Sequence, residues 1–159
     1  KEKLACFYIN GLKEGESTEW ILVENNKKNR IQSNYLNDQL HGSYSVYDCN
    51  NTLIQTCEFI NGQLNGQYIT YHSNGTICIK TSYANNLLNG TYFEFNKSEK
   101  KIIKCSYING EKNGTYYEFD LSGKILSKET YNVILNEQQN KQQTEQQTEQ
   151  QNGQIAIVV

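Results

Sequence analysis

Proline and methionine are absent from this chain of 159 residues, tryptophan occurs once and histidine twice. Without proline, every residue keeps its backbone N–H, so nothing interrupts continuous strand pairing. Only 36 % of the residues are hydrophobic, and twelve tyrosines supply much of that share. A chain this polar lacks the apolar bulk for a thick layered core, although aromatic rings can still cover a single sheet. Fifteen basic residues against seventeen acidic ones leave a net charge of −2. No basic field therefore exists to hold a nucleic acid or an anionic membrane. No apolar run approaches the roughly 20 residues of a membrane helix, so no transmembrane segment is expected. The missing methionine leaves two expectations for the N-terminus, a removed signal peptide or a fragment of a longer chain.

What the sequence does contain is a repeat. Aromatic residues stand at Tyr35, Phe59, Tyr83, Tyr107 and Tyr131, each 24 positions after the last. Gly42, Gly66, Gly90 and Gly114 keep the same step, as do Tyr44, Tyr68, Tyr92 and Tyr116, and then Tyr47, Tyr71, Phe95 and Phe119. Columns that share one period mark a repeat architecture. Tyr8, Asn10-Gly11, Gly15 and Trp20 form a divergent first unit, set 27 residues before the next by a polar loop around Glu24–Asn29. Terminal units are commonly atypical because one side has no neighbour.

Each unit carries two turn signals. Asn61-Gly62 and Asn109-Gly110 are the preferred central pair of a type I′ hairpin turn, where both residues need positive φ. Asn37-Asp38 and Asn85-Asn86 hold the same place with residues that tolerate it. The second signal is Ser73-Asn74-Gly75 and Ser122-Gly123; at Glu99 the glycine is lost, and an irregular turn is expected there. The intervening Tyr, Ile, Thr and Phe segments are strand formers. The expected fold is all-β: an open, single-layer antiparallel β-meander of about five 24-residue hairpin repeats over residues 1–133. A Gln-rich arm (134–154) and an apolar strand (155–159) follow it. At roughly 10 Å per hairpin, five units would span roughly 50 Å.

The Asn61-Gly62 turn sets an expected register: Ile60 opposite Gln63, Phe59 opposite Leu64, Cys57 opposite Gly66. Phe59, Leu64, Gly66 and Tyr68 then share a face. On this reading Gly42, Gly66, Gly90 and Gly114 leave room for rings of the next unit, and Tyr44, Tyr68, Tyr92 and Tyr116 stack with them.

The unit Phe59-Ile-Asn-Gly-Gln-Leu-Asn-Gly-Gln-Tyr-Ile-Thr-Tyr-His-Ser-Asn-Gly-Thr-Ile resembles the MORN repeat, in the variant found in YwqK-like antitoxin components. Tyr107-Ile-Asn-Gly-Glu-Lys-Asn-Gly-Thr-Tyr-Tyr-Glu-Phe-Asp-Leu-Ser-Gly-Lys-Ile matches as well. The resemblance covers about Tyr8 to Tyr131, the first unit least. It implies an elongated β-meander that serves as a scaffold, a membrane-associated organiser or a partner-binding module, and it implies no catalysis. Fewer lysines in the turns, more threonine after Asn-Gly and several cysteines set this chain apart from the commoner pattern.

An enzyme is not expected. His41 and His72 occupy repeat positions held elsewhere by Asn and Asp, with no acid or nucleophile at motif spacing. Glu94 and Glu118 share a column with Thr70, which reads as a solvated face. No phosphate-binding loop, zinc spacing or cofactor motif is present. Cys6, Cys57 and Cys105 each lie two residues before the repeat aromatic, whereas Cys49 and Cys78 lie elsewhere. They are either small buried residues of a reduced protein or one or two disulfides in an oxidising compartment. Asn50, Asn74, Asn89, Asn96 and Asn113 begin Asn-x-Ser/Thr sequons that could carry N-linked glycans, three of them read as Asn-Gly-Thr turns.

The tail completes the functional expectation. Asn136–Gln154 is a low-complexity, Gln-rich stretch, and Ile155, Ala156, Ile157, Val158 and Val159 form an apolar strand with no hairpin partner. An open array has two unpaired edges, which such a strand could cap on a neighbouring copy. The expectation is a self-assembling, secreted filament subunit whose partners are copies of itself. The alternatives are an intracellular adaptor, cytoplasmic or cytoskeleton-associated, and an antitoxin-like toxin-binding module.

Overall fold

A computed structural model describes residues 5–23 and 27–132. The strands are β1 (Ala5–Ile9), β2 (Leu12–Leu22), β3 (Lys28–Leu36), β4 (Gln39–Tyr47), β5 (Leu53–Ile60), β6 (Gln63–Tyr71) and β7 (Ile77–Ala84). They continue with β8 (Leu87–Leu88), β9 (Gly90–Phe95), β10 (Lys101–Ile108), β11 (Glu111–Lys112), β12 (Gly114–Phe119) and β13 (Ile125–Tyr131). All thirteen belong to one open antiparallel meander sheet, in which β8 and β9 both pair with β7, and β11 and β12 both pair with β10. β8 and β11 are the turn-proximal ends of the strands that go on as β9 and β12.

At one end of the strands the hairpins close through pairs of left-handed residues: Asn37-Asp38 (φ 50°, 65°), Asn61-Gly62 (49°, 75°), Asn85-Asn86 (50°, 68°) and Asn109-Gly110 (49°, 87°). Asparagine and aspartate tolerate this region because their short side chains find local partners. Each turn is also tied to the previous hairpin. The Gly62 N–H donates to the Leu40 carbonyl at 2.8 Å and the Gly110 N–H to that of Leu88 at 2.8 Å. Where glycine is missing the side chain adds a bond, Asp38 Oδ1 accepting from Lys13 N (2.6 Å) and Asn86 Oδ1 from Leu64 N (2.7 Å).

At the other end the turns run Asp48–Thr52, His72–Thr76, Asn96–Lys100 and Asp120–Lys124, each closed by paired backbone bonds. Asp48, Asn96 and Asp120 accept the N–H groups two and four residues ahead at 2.8–3.0 Å. The turn at Glu99 is therefore regular, contrary to expectation. Glu99 adopts φ 60°, as glycine does at Gly75 and Gly123, because Asn96 Oδ1 holds Ser98 and Lys100 around it.

The register near the Asn61-Gly62 turn agrees with expectation only as far as Phe59. Phe59 faces Leu64, but Cys57 faces Tyr68 rather than Gly66. Glu58 alone stands opposite Asn65, Gly66 and Gln67, which makes a bulge. Gly66 has φ 112° there, and a Cβ on it would lie 2.2 Å from Glu58 Oε2. The preceding hairpin bulges alike, with Asn34 opposite the residues around Gly42.

The core is one row of small residues. Ser33, Cys57, Thr81 and Cys105, spaced by 24, are buried, together with Ser17 and Ile31. Tyr44 lies between Ser33 and Cys57, Tyr68 between Cys57 and Thr81, and Tyr92 beside Cys105. Large and small side chains thus alternate across the strands, and no large side chain is fully buried among the described residues.

Candidate interaction faces and edges

Alternation along the strands gives the sheet two chemically different faces. The tyrosine face carries the buried row. On it Gly42 pairs with Phe59, Gly66 with Tyr83, Gly90 with Tyr107 and Gly114 with Tyr131. Each bulge glycine thus stands opposite the aromatic of the next hairpin. That aromatic leans edge-on against the tyrosine two residues after the glycine: Phe59 on Tyr44 at 5.5 Å, Tyr83 on Tyr68 at 5.5 Å, and Tyr107 on Tyr92 at 6.1 Å between ring centres. The geometry is the favoured one for ring quadrupoles. In the last hairpin, Lys112 Nζ lies 4.5 Å from the Tyr116 ring centre and 5.0 Å from that of Tyr131.

The glycines themselves are explained differently from expectation. The side chain missing from Gly66 or Gly90 would meet Glu58 or Ser82, on the preceding strand of the same hairpin, and not an aromatic ring. Their positive φ and the bulge are what demand glycine.

Burial dominates the electrostatics of this face. It pushes the Tyr44 and Tyr68 phenols above their ordinary value, and Tyr92 further, with the Glu94 carboxylate adding to the effect. Tyr107 is pushed up to about 12, by burial first and then by the Cys105 thiol. Burial likewise raises the Cys57 and Cys105 thiols.

The opposite face is polar in its N-terminal half, where Glu16, Thr18, Gln32, Asn34, Ser43 and Ser45 line a shallow trench. Beside it the Arg30 guanidinium lies 3.9 Å above the Tyr47 ring and donates to Asn51 Oδ1 at 2.7 and 3.1 Å. In the C-terminal half lysines alternate with aromatic rings. Sequence reasoning missed this row, although its signal is the 24-residue column Lys80, Lys104 and Lys128.

All five cysteines are free thiols, Cys57 and Cys105 buried, Cys6 and Cys78 half-buried, Cys49 exposed. Cys57 in β5 and Cys105 in β10 are four strand positions apart, roughly 19 Å, far beyond the reach of a disulfide. Of the sequon asparagines, Asn50 and Asn74 are exposed in turns, and Asn96 opens a turn that its own Oδ1 organises. Asn89 and Asn113 do not lie at turns, contrary to expectation. They sit at the strand breaks before Gly90 and Gly114, with Asn89 Nδ2 donating to Asn109 Oδ1 at 3.3 Å. His41 Nδ1 accepts from Asn61 N at 3.5 Å, and His72 Nε2 lies 2.8 Å from the Phe95 carbonyl oxygen. Both are structural contacts.

The edges complete the picture. Among the described residues, β1 and β13 each pair on one side only. Phe7, Tyr8 and Ile9 on the first edge are 56–67 % exposed, and Leu126 on the last is 63 % exposed. The candidate assembly strand Ile155–Val159 and the Gln-rich arm lie outside the described residues. No helix among the described residues is long and apolar enough to cross a membrane, and none of their His, Cys, Asp or Glu side chains cluster as metal ligands. No protein-family model matches the chain, and comparison with curated proteins found no match either.

Proposed function

We propose that the chain is a non-catalytic structural repeat protein that assembles with copies of itself by strand addition at its sheet edges. The observation that carries this reading is the pair of edges, β1 and β13, each with a side unpaired among the described residues and with exposed apolar residues. An edge of this kind is a template for another strand, and proteins that avoid pairing shield it with charge, proline or a bulge. Here Phe7, Tyr8 and Ile9 follow one another on β1 without a charge between them. Ile155–Val159 supplies an incoming strand of matching character, and the Gln-rich stretch before it supplies the reach. Contacts between unlike surfaces propagate head to tail into filaments. The resemblance to MORN repeats accords with a scaffold role, and the free thiols and sequons leave the compartment as a proposal, extracellular in this reading.

Deleting Ile155–Val159 tests the proposal. Electron microscopy should show filaments from the full chain and isolated particles from the shortened one, with unchanged β-type circular dichroism. Undiminished filaments would end it. A second reading, a partner-binding adaptor, is favoured by the half-exposed tyrosine row; tyrosine is enriched at interfaces. Filament-free full-length chain that retains a stable hetero-partner would select it.

A further inference from the structure

Lys80, Phe93, Lys104, Tyr117 and Lys128 form one straight row across five strands. Lys80 pairs with Phe93, Phe93 with Lys104, Lys104 with Tyr117 and Tyr117 with Lys128. All three lysines are exposed, and none makes an ion pair among the described residues, where the only one is Lys13–Glu19. On the opposite face Ile103 pairs with both Glu94 and Glu118. Those carboxylates make a second row, parallel to the first and also without an ion pair.

The two rows share one spacing because one sheet sets both. Strands lie ~4.8 Å apart, so neighbouring lysines are two strands, roughly 10 Å, apart. Glu94 and Glu118 are separated by the same two strands. A second copy laid over the first therefore meets lysines with carboxylates at matching intervals. Sheets of equal twist stack about 10 Å apart, which seats the Phe93 and Tyr117 rings against the partner's Ile103 side.

We infer that the lysine row of one copy docks on the Glu94–Glu118 row of a second, stacking two sheets face to face. The occupant is a second copy rather than a polyanion because the compensating charge is built into the reverse face and the chain's net charge is only −2. The contact joins unlike faces through side chains, and although Lys128 lies on the edge strand β13 it uses none of that strand's backbone groups, so it stands whether or not strand addition operates.

A charge swap tests it. One full-length chain carries Lys104→Glu and Lys128→Glu, a second carries Glu94→Lys and Glu118→Lys, and circular dichroism checks that both keep the parent fold. Sedimentation at low salt should show the parent associating and each variant weakened by roughly tenfold or more, with mixing of the two variants restoring association. High salt should release the parent. Association of the lysine-reversed chain at parental strength, or a mixture that stays apart, would overturn the inference. So would a parent that does not self-associate but binds heparin through these lysines. Deleting Ile155–Val159 leaves both faces intact, so failure of edge assembly and failure of stacking read out separately.

Discussion

Gly66 stands opposite Tyr83 in the ladder between β6 and β7, yet the space where its side chain would be belongs to Glu58 of its own hairpin. The repeat glycine thus serves two neighbours at once. Its left-handed backbone bulges around Glu58, and it pairs across the ladder with Tyr83 of the next hairpin.

Gly66→Ala should cost about 2 kcal/mol, combining a φ near 112° with a Cβ pressed against Glu58. Gly75→Ala, at φ 83° with open space around it, should cost about half as much, from backbone strain alone. Urea midpoints of the two variants check this, and equal losses would count against the close approach to Glu58.

Glu99→Gly should stabilise the chain by about 1 kcal/mol, since a non-glycine residue holds a left-handed φ of 60° there without burial in return. Thermal melting provides the measurement. A lower melting temperature would mean that the Glu99 side chain makes a contribution its geometry does not suggest.

The turn at Asp120 should give the protein an acid-sensitive limb. The Ser122 hydroxyl, then the Lys124 and Ser122 N–H groups, hold its carboxyl below the ordinary carboxylate value. A lowered folded pKa adds stability that is present above the unfolded value and lost as pH falls through the folded one. Asp120→Asn keeps the acceptor, as Asn96 does in its own turn, and should flatten the acid limb of the melting temperature below about pH 4. An unchanged limb would place the sensitivity elsewhere.

Alkaline pH acts with the opposite sign. Tyr107, held up to about 12 by burial and the Cys105 thiol, favours the folded state while both states keep the phenol neutral. That contribution is complete below the unfolded value of about 10 and disappears as pH rises towards about 12. Ultraviolet titration should resolve a late-ionising class of tyrosines that merges with the rest in urea. Tyr107→Phe should remove part of it. The thiols follow the same burial: Cys49 should react with an aromatic disulfide reagent at once, Cys57 and Cys105 only slowly.

The repeat made most of this architecture legible. Asn-Gly pairs fix type I′ turns locally, and turns spaced by 24 fix a meander whatever the residues between them do. The Gly66 register was not legible, because a bulge depends on which residue opposes which across two strands, and turn chemistry counts only from the turn outwards. The Glu99 turn looked irregular for a related reason. A missing glycine is visible in the chain, whereas the compensating grip of Asn96 on Ser98 and Lys100 appears only in three dimensions. The lysine row was present as a column in the sequence, but its place opposite Glu94 and Glu118 requires the registers of five strands at once. Ile155–Val159 remains a reading of composition.

Edge pairing is the claim on which the proposed function stands, and amide hydrogen exchange tests it most directly. In the assembled full chain, backbone amides of β1 and of Ile125–Tyr131 should exchange markedly more slowly than in dilute chain. The same amides should stay fast in the chain lacking Ile155–Val159 at equal concentration. Exchange at both edges that is identical in all three samples would contradict strand addition.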